Sequence, residues 1–248
     1  MKNHSSSKTS KFYDDLIKGN KNFTIFTKDT RYNINKILQK KNLKKYFDNV
    51  VSKFIKNDQY ILDYGCGPGT FLLKLSSLSN SKLFGVDISN EFIKESKKNI
   101  EERKIQNIDV KLVEAEQLPF DDETFDVILI VDVIHHLDDI EKNLSEIYRV
   151  LKKNGKILVY EPNKLNPLIW ITHIIDKNER GLMRVGRFKK YEEIFKKLDL
   201  KVEIKEYNGI VIGPSSKILD LISDFLNLKF IYPLLGFLNP KIFLVVTK

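Results

Sequence analysis

The residues most suggestive of chemistry form a short glycine-rich segment after an apolar run. Gly65, Gly67 and Gly69 alternate with other residues, beginning two positions after the acid Asp63. A turn without Cβ atoms lets the main chain approach a ligand closely and point amide groups at it. A second apolar run ends on another acid, Asp87, where a carboxylate suits the hydroxyls of a ribose. Together these features predict a site for a nucleoside cofactor.

The glycine spacing separates two classes of cofactor. In the dinucleotide fingerprint the third glycine stands three residues after the second, whereas Gly69 stands two residues after Gly67. The segment therefore lacks the pattern that holds a pyrophosphate. This spacing argues against a nicotinamide-dependent dehydrogenase.

The motifs and their order along the chain resemble those of class I S-adenosylmethionine-dependent methyltransferases. The first motif of that family has the form Asp-x-Gly-x-Gly-x-Gly, and its second motif is the acid at Asp87. Further segments resemble the type 11 subgroup, which contains the ubiquinone and menaquinone C-methyltransferases; in chain order they are 113–120, 125–129, 135–137 and 149–156. The resemblance covers roughly residues 59 to 162.

The resemblance implies S-adenosyl-L-methionine as the cofactor and gives each matching residue a role. Main-chain groups near Gly65 and Gly67, in the turn that Gly69 completes, would hold the methionine part. Asp63 would orient this loop and the ammonium group of the cofactor. Asp87 would accept hydrogen bonds from both ribose hydroxyls.

Other residues complete the implied cofactor site. Ile88 would pack on the adenine, and the carbonyl of Val131 would lie near the methionine part. Glu114 and Ala115 match the position where a side chain and the next amide meet the adenine. The family often has Asp or Asn in place of Glu114, so the alternative for this residue is a solvent-facing strand end.

A histidine is the candidate catalytic group. Methyl transfer from a sulfonium is an in-line displacement that depends on alignment, and a His base suits an acceptor that must lose a proton. By resemblance, His136 matches an active-site His of phosphoethanolamine methyltransferases and cyclopropane fatty acid synthases. Asp132 matches an acid that contacts a cationic acceptor in the former. The alternative is a structural role for His136 and, more so, for His135. Tyr13 would either fold over the acceptor or simply pack.

The elements that position these residues alternate between strand and helix. This alternation predicts an α/β fold with a parallel sheet. The resemblance implies a Rossmann-like, doubly wound, seven-stranded sheet with helices on both faces and an antiparallel last strand inserted between its neighbours. Gly155 is expected to end the helix before the fifth strand. The expected strands are 60–63, 83–87, 109–114, 125–131, 156–161, 201–206 and 241–247.

Length and composition favour a single methyltransferase domain over residues 1–248. We expect a disordered tail at 1–10, a helical cap at 11–58, the cofactor-binding core at 59–162, and an acceptor-side insertion with the last strands at 163–248. The first residues lack the apolar stretch of a signal peptide, so the expected location is the cytoplasm. The four histidines are scattered, and no metal site is expected.

The net charge of +9 raises the question of an anionic partner. The excess is mostly lysine and accompanies abundant Asn and Ile, a mixture that the codons of an AT-rich genome produce. The sequence shows no RNA-binding signature and no Asn/Asp-Pro-Pro-Tyr segment after the fourth strand, so no nucleic-acid partner is expected. The preferred function is methyl transfer to O, N or C of a small molecule or lipid. The alternatives are an RNA methyltransferase and a non-catalytic cofactor-binding protein.

Two apolar stretches outside the motifs, 162–175 and 217–238, bear on the acceptor. Both are too short or too interrupted to span a bilayer. They either form an apolar lid for a lipid-linked acceptor, with peripheral membrane contact, or cover the flank of the sheet. Arg180, Arg184 and Arg187 lie between them, and inward-pointing side chains would favour an anionic group on the acceptor.

Overall fold

The computed structural model describes residues 4–19, 32–114, 117–175, 182–212 and 217–248. Its strands are β1 Tyr60–Tyr64, β2 Lys82–Asp87, β3 Ile108–Leu112, β4 Phe125–Val131, β5 Leu151–Pro162, β6 Lys201–Asn208 and β7 Lys241–Thr247. They form one sheet in the order β3-β2-β1-β4-β5-β7-β6. Strands β1 to β5 pair in parallel, and β7 runs antiparallel to both of its neighbours. The predicted fold class and the inserted last strand are confirmed.

Helices cover both faces of this sheet. Helix α3 is a composite run that comprises Lys41–Leu43, a π-helical turn at Lys44–Asp48, and Asn49–Val51. The others are α1 His4–Ile17, α2 Ile34–Leu38, α4 Thr70–Ser76, α5 Asn90–Glu102, α6 Ile140–Val150, α7 Pro167–Ile175, α8 Leu182–Val185, α9 Phe188–Lys196, α10 Lys217–Leu226 and α11 Tyr232–Leu235. Short 3-10 turns occupy Ile134–His136 and Gly236–Leu238.

The central strands are buried on both faces, which is why they appear in the sequence as continuous apolar runs. On one face, Ile61 of β1 shares a buried cluster with Phe47 of α3 and Leu72 of α4. On the other face, its neighbour Leu62 shares a cluster with Ile147 of α6. Because successive strand residues point to opposite faces, each of these strands anchors both helical layers.

The predicted helix stop at Gly155 is wrong. Helix α6 already ends at Val150, and the fully buried Leu151 pairs with Phe125 of β4. Gly155 therefore lies within β5, and the nearby residue with left-handed backbone is Asn154, whose φ is 62°. Burial of Leu151 against the sheet ends the helix, and no glycine cap is needed.

Part of the segment expected to be a disordered tail lies in a helix of the structure. Helix α1 begins at His4, whereas residues 1–3 lie outside the described residues. The far end of the helix buries Leu16 and Ile17. Ser10 donates to the carbonyl of Ile88, at a distance of 2.8 Å. Tertiary contacts stabilise this helix, and a polar sequence alone does not reveal them.

Candidate active site

A cavity lies at the carboxyl ends of β1, β2 and β4, the edge where ligands bind in open α/β sheets. The structure brings both predicted halves of the site to this cavity, the glycine turn and the histidine turn. Side chains of α1 and α2 and of the residues next to them, including Tyr13 and Ile37, cover it. The predicted site residues in its wall are Gly65, Gly67, Asp87, Ile88, Val131, Asp132 and His136.

The glycine turn is held against β2 and leaves one face open. The amides of Gly65 and Cys66 both donate to the carbonyl of Val86, at 2.8 and 3.0 Å. Gly65 has a φ of 78°, and a Cβ there would collide with Val133. Gly67 has a φ of 52°, and a Cβ there would meet nothing within 4 Å. The missing side chain at Gly67 therefore leaves free space where the turn borders the cavity.

Asp87 is the buried carboxylate of the site. One of its oxygens accepts the amide of Gly67 at 2.9 Å, and the other accepts the amide of Ser89 at 2.8 Å. Burial raises the pKa of Asp87 to about 6, although these amide donors act in the opposite direction. Each carboxylate oxygen has a second lone pair, so the group can still accept ligand hydroxyls.

Asp63 lies behind the glycine turn and is outside the cavity wall. Its side chain is almost completely buried, and burial together with the charge of Asp87 raises the pKa of Asp63 to about 8. Within the described residues, its Oδ2 has no hydrogen-bond partner. A buried polar atom without a partner is costly, so a donor or cation reaching this oxygen would be stabilised.

The remaining predicted cofactor residues divide into two groups. Ile88 and Val131 line the cavity. Gly69 instead packs the turn on α5, because a Cβ there would lie 2.6 Å from Ser96 Oγ. Glu114 is exposed and is not part of the cavity wall, an arrangement that matches the solvent-facing alternative. Ala115 lies outside the described residues.

The turn after β4 is fixed by the buried carboxylate of Glu161. This side chain is fully buried and accepts the amides of Val133 and Ile134, both at 2.8 Å. Nδ1 of His135 lies 2.6 Å from its Oε2, and the hydroxyl of Tyr191 donates to the same oxygen at 3.2 Å. His135 is buried behind the cavity wall, an arrangement that matches the structural alternative for this residue.

Asp132 and His136 project from this turn into the cavity. Asp132 has a left-handed backbone with a φ of 58° and forms an ion pair with the buried Lys241 of β7. Nε2 of His136 is hydrogen-bonded to the hydroxyl of Tyr13 at 3.0 Å. A lysine of the last strand thus anchors the acid, while a tyrosine of the first helix contacts the histidine.

Helix α1 is fastened to the loop that follows Asp87. The Oδ1 of Asp14 accepts the hydroxyl of Ser89 at 2.6 Å and the amide of Glu91 at 3.1 Å, so it lies at the N-terminus of α5. Ser89 in turn caps this helix by accepting the amide of Phe92. A carboxylate is favoured at a helix N-terminus, and this contact holds α1 across the cavity.

The residues that sequence reasoning missed are Glu161, Lys241 and Asp14. Glu161 ends an apolar strand, and that position was the available signal, because a carboxylate at the carboxyl end of a central strand must find buried donors. Nothing in the sequence distinguished Lys241 as the partner of Asp132 from the many other lysines of the chain. Asp14 was recognisable only as a neighbour of Tyr13.

Neither of the described arginines of the acceptor-side region lines the cavity. Arg184 donates to the carbonyl of Leu137 at 2.7 Å, and Arg187 borders a separate small crevice. Arg180 lies outside the described residues. The condition for an anion-binding acceptor site is therefore not met by Arg184 or Arg187. A search of the described residues also finds no group of His, Cys, Asp and Glu side chains arranged to hold a metal ion.

Comparison with models of known protein families identifies the family of this chain. The family model described as a methyltransferase domain matches residues 55–206, which is more than half of the chain. The chain belongs to this methyltransferase family. The matched region begins just before β1, ends within β6, and includes the glycine turn, Asp87, Glu161 and the histidine turn.

The relatives and solved structures agree with that assignment. The ubiquinone/menaquinone biosynthesis C-methyltransferase UbiE of Rickettsia felis is 34% identical over 142 residues, which cover 54% of this chain and 57% of that protein. The match thus spans little more than half of that relative.

Two solved structures resemble nearly the whole chain. One is the [4+2]-cyclase SpnF, with a TM-score of 0.65, 15% identity, and coverage of 98% of this chain and 97% of that one. The other is the geranyl diphosphate C-methyltransferase of Streptomyces coelicolor, with a TM-score of 0.61, 13% identity, and coverage of 99% and 98%. At these identities the likeness establishes the fold.

Glu161→Gln should destabilise the protein by about 2 to 3 kcal/mol, because a neutral amide replaces a buried acceptor that several donors share. Urea unfolding followed by circular dichroism measures this change. The matched control is Glu206→Gln, which changes an exposed glutamate of β6 and should alter stability by less than about 0.5 kcal/mol. Equal unfolding free energies for both variants would contradict the assigned role of Glu161.

Asp63→Asn should flatten the pH dependence of stability in the ligand-free protein. The folded state holds the Asp63 proton up to about pH 8, whereas the usual value is 3.8. The raised pKa therefore adds stability at low pH that is lost as the pH rises through this range. We expect the variant to match wild type near about pH 4 and to be more stable near about pH 8, by on the order of 2 kcal/mol. Urea unfolding at a series of pH values measures this difference. If the unfolding free energies of variant and wild type change in parallel with pH, the raised pKa of Asp63 is wrong.

Proposed function

We propose that the protein is an S-adenosyl-L-methionine-dependent methyltransferase that transfers a methyl group to O, N or C of a small-molecule or lipid-like acceptor. The observation that carries the proposal is the junction of Gly67 and Asp87. There, an open glycine face and a buried carboxylate with free lone pairs border the same cavity. The family membership of the chain supports the same reaction class.

The residues of the junction fit the chemistry of that cofactor. Asp87 can accept ribose hydroxyls, and the glycine turn can lie against the methionine part. Asp63 provides a buried oxygen without a partner in the described residues, suited to orienting the loop near an ammonium group. Ile88 and Val131 supply cavity wall on either side. When bound, the cofactor supplies an electrophilic methyl group on a sulfonium.

The chain contributes alignment, exclusion of water and a route for a proton. Helix α1 covers the cavity and brings Tyr13 to His136. We assign His136 as the base for an acceptor that must lose a proton, with Tyr13 fixing the orientation of its ring. Asp132 is assigned to the acceptor side, where Lys241 holds its carboxylate in place.

The acceptor, the partners and the domain division are part of the same proposal. The core at 59–162 would bind the cofactor under the helical cap at 11–58, and 163–248 would shape the acceptor side of a single domain. No nucleic-acid partner is proposed, and the protein would work in the cytoplasm with peripheral contact to a membrane. None of the helices in the described part of the chain combines the length and apolar character needed to cross a bilayer.

Asp87→Ala should weaken S-adenosylmethionine binding by about 1.5 to 3 kcal/mol, the range for hydrogen bonds to a charged group. Isothermal titration calorimetry measures the change. Asp109→Ala, an exposed aspartate of β3, serves as the control and should bind like wild type. If the dissociation constants of both variants equal that of wild type, the cofactor site lies elsewhere.

His136→Ala should leave cofactor affinity unchanged and reduce turnover by about 100-fold or more, because a positioned base is lost. Tyr13→Phe should cause a smaller loss and shift the pH profile of turnover, since it removes the hydrogen bond to Nε2. Full activity of His136→Ala would assign this residue a structural role.

The acceptor itself can be found with the intact protein. Cell extract is incubated with the protein and isotopically labelled methyl donor, and untargeted mass spectrometry identifies compounds that gain the label. A labelled small molecule or lipid supports the proposal. Label confined to RNA, or cofactor binding without any labelled product, would refute it.

A further inference from the structure

The exposed apolar side chains are concentrated in two neighbouring segments. Of the sixteen large apolar residues that are exposed within the described part of the chain, only Tyr60 and Leu112 lie elsewhere. Scattered apolar residues are normal on a protein surface, whereas such a concentration marks an interaction site. The apolar surface defined here consists of Leu165, Leu168, Trp170, Ile171, Ile174, Ile175, Ile218, Leu221, Ile222, Phe225, Leu228, Phe230, Leu234 and Phe237.

Helix α10 is oriented opposite to an ordinary surface helix. Its polar side faces the protein, where Asp220 accepts from Asn42 of α3 at 2.8 Å. Asp224 accepts from Lys45 at 2.6 Å and from Tyr46 at 2.9 Å. Its apolar side faces solvent, with Ile218 and Leu221 each more than two thirds exposed. Both acids are therefore paired with α3, and the charge of Asp224, whose side chain is 52% exposed, is balanced by Lys45.

The two segments meet at one polar junction. The side chain of Asn163 donates to the carbonyl of Phe237 at 2.7 Å, and the side chain of Asn166 donates to the carbonyl of Leu238. These bonds place the start of α7 beside the turn that follows α11. The apolar residues of α7 and of α10–α11 thus belong to adjacent parts of one surface.

Exposed lysines flank this surface. Lys217 and Lys229 stand at the start and near the end of the α10 segment, and Lys41 and Lys44 lie on α3 next to its contacts with α10. An apolar face with a basic margin is complementary to a bilayer that contains anionic lipids. A second copy of this chain would bring lysines toward lysines, so self-association is disfavoured.

We propose that α7 and α10–α11 dock the protein on the surface of an anionic membrane. The docking surface lies close to the cavity, because Ile212 lines the cavity and its neighbour Val211 accepts from Lys40, just before α3. An apolar acceptor dissolved in the bilayer would then reach the cavity from this side. That last step rests on the proposed methyltransferase function, whereas the docking does not.

Flotation with lipid vesicles tests the docking directly. The full-length protein is mixed with vesicles of phosphatidylcholine alone, or of phosphatidylcholine with phosphatidylglycerol, and the bound fraction is measured. We expect binding to the anionic vesicles, and the double variant Leu221→Glu/Phe230→Glu should lower it at least about tenfold. Leu112→Glu adds one glutamate at an exposed apolar residue of β3, outside the surface, and should bind like wild type.

A second pair of variants tests the basic margin. Lys217→Gln/Lys229→Gln should reduce binding to anionic vesicles several-fold, since each lysine near such a surface contributes to attraction. Lys94→Gln/Lys98→Gln removes two exposed lysines of α5 and is the matched control. Circular dichroism confirms folding, and calorimetry with S-adenosylmethionine reports the cofactor site separately from docking.

The proposal is overturned if wild type binds neither type of vesicle, or if the double variant floats as well as Leu112→Glu. It is also overturned if sedimentation shows a wild-type dimer that the double variant dissociates while vesicle binding is absent, because the surface would then join two copies. Vesicle binding without cofactor binding would preserve the docking and refute the proposed enzymatic function.

Discussion

The site depends first on the burial of one carboxylate, Asp87, where two loops meet. One oxygen receives the amide of Gly67 from the loop after β1, and the other receives the amide of Ser89 at the start of α5. A charge taken out of water must find hydrogen-bond donors, and the surrounding main chain supplies them. The carboxylate therefore fixes the relative position of both loops. Asp14 extends the same linkage to α1, because it accepts from Ser89.

Glu161 performs the corresponding task on the other side of the cavity. It collects two amides from the turn after β4, so the residues on that turn have a defined direction before any ligand arrives. Preorganised groups avoid a cost of ordering at the moment of reaction. The two buried carboxylates explain how irregular loops can form a defined wall, with Asp87 fixing the side of the glycine turn and Glu161 fixing the side of His136.

The sequence predicted what depends on local pattern. The limits of β4 and β7 are as expected, because apolar runs of that length between turn signals have few alternatives. The last strand was placed by family resemblance, since periodicity contains no information on strand order. The prediction at Gly155 was wrong because a glycine after a helix usually ends it. Here the helix ends earlier, where Leu151 is buried against the sheet. Helix α1 begins before the expected cap at 11–58, and the contact of Ser10 with Ile88 is long-range and leaves no local pattern.

For the site, the sequence predicted the motif residues but not their hydrogen-bond and ion-pair partners. Motif spacing brought Gly67, Asp87 and His136 into consideration, and the fold places all three at one cavity. The partners of these residues were not predictable, because each comes from a distant part of the chain. Tyr13 and His136 are separated by 123 positions, and Lys241 and Asp132 by 109. A single sequence contains no signal for such pairs unless the fold is already known.

The distribution of charge connects the cavity with the apolar surface. In the described part of the chain, the cavity wall includes the carboxylates of Asp87, Asp132, Asp138 and Asp139 but no Lys or Arg side chain. Exposed lysines lie outside the cavity wall, and Lys41, Lys44, Lys217 and Lys229 are the ones beside the apolar surface. Anionic lipid headgroups would be attracted to this outer margin and repelled from the cavity, since like charges in a partly buried space are unfavourable. Under the proposed function, a neutral apolar acceptor would avoid this repulsion and would pack on the aromatic and aliphatic side chains of the wall. The carboxylates of the cavity wall would thus exclude anionic lipids, and docking through the apolar surface would bring the cavity to the bilayer that contains the acceptor.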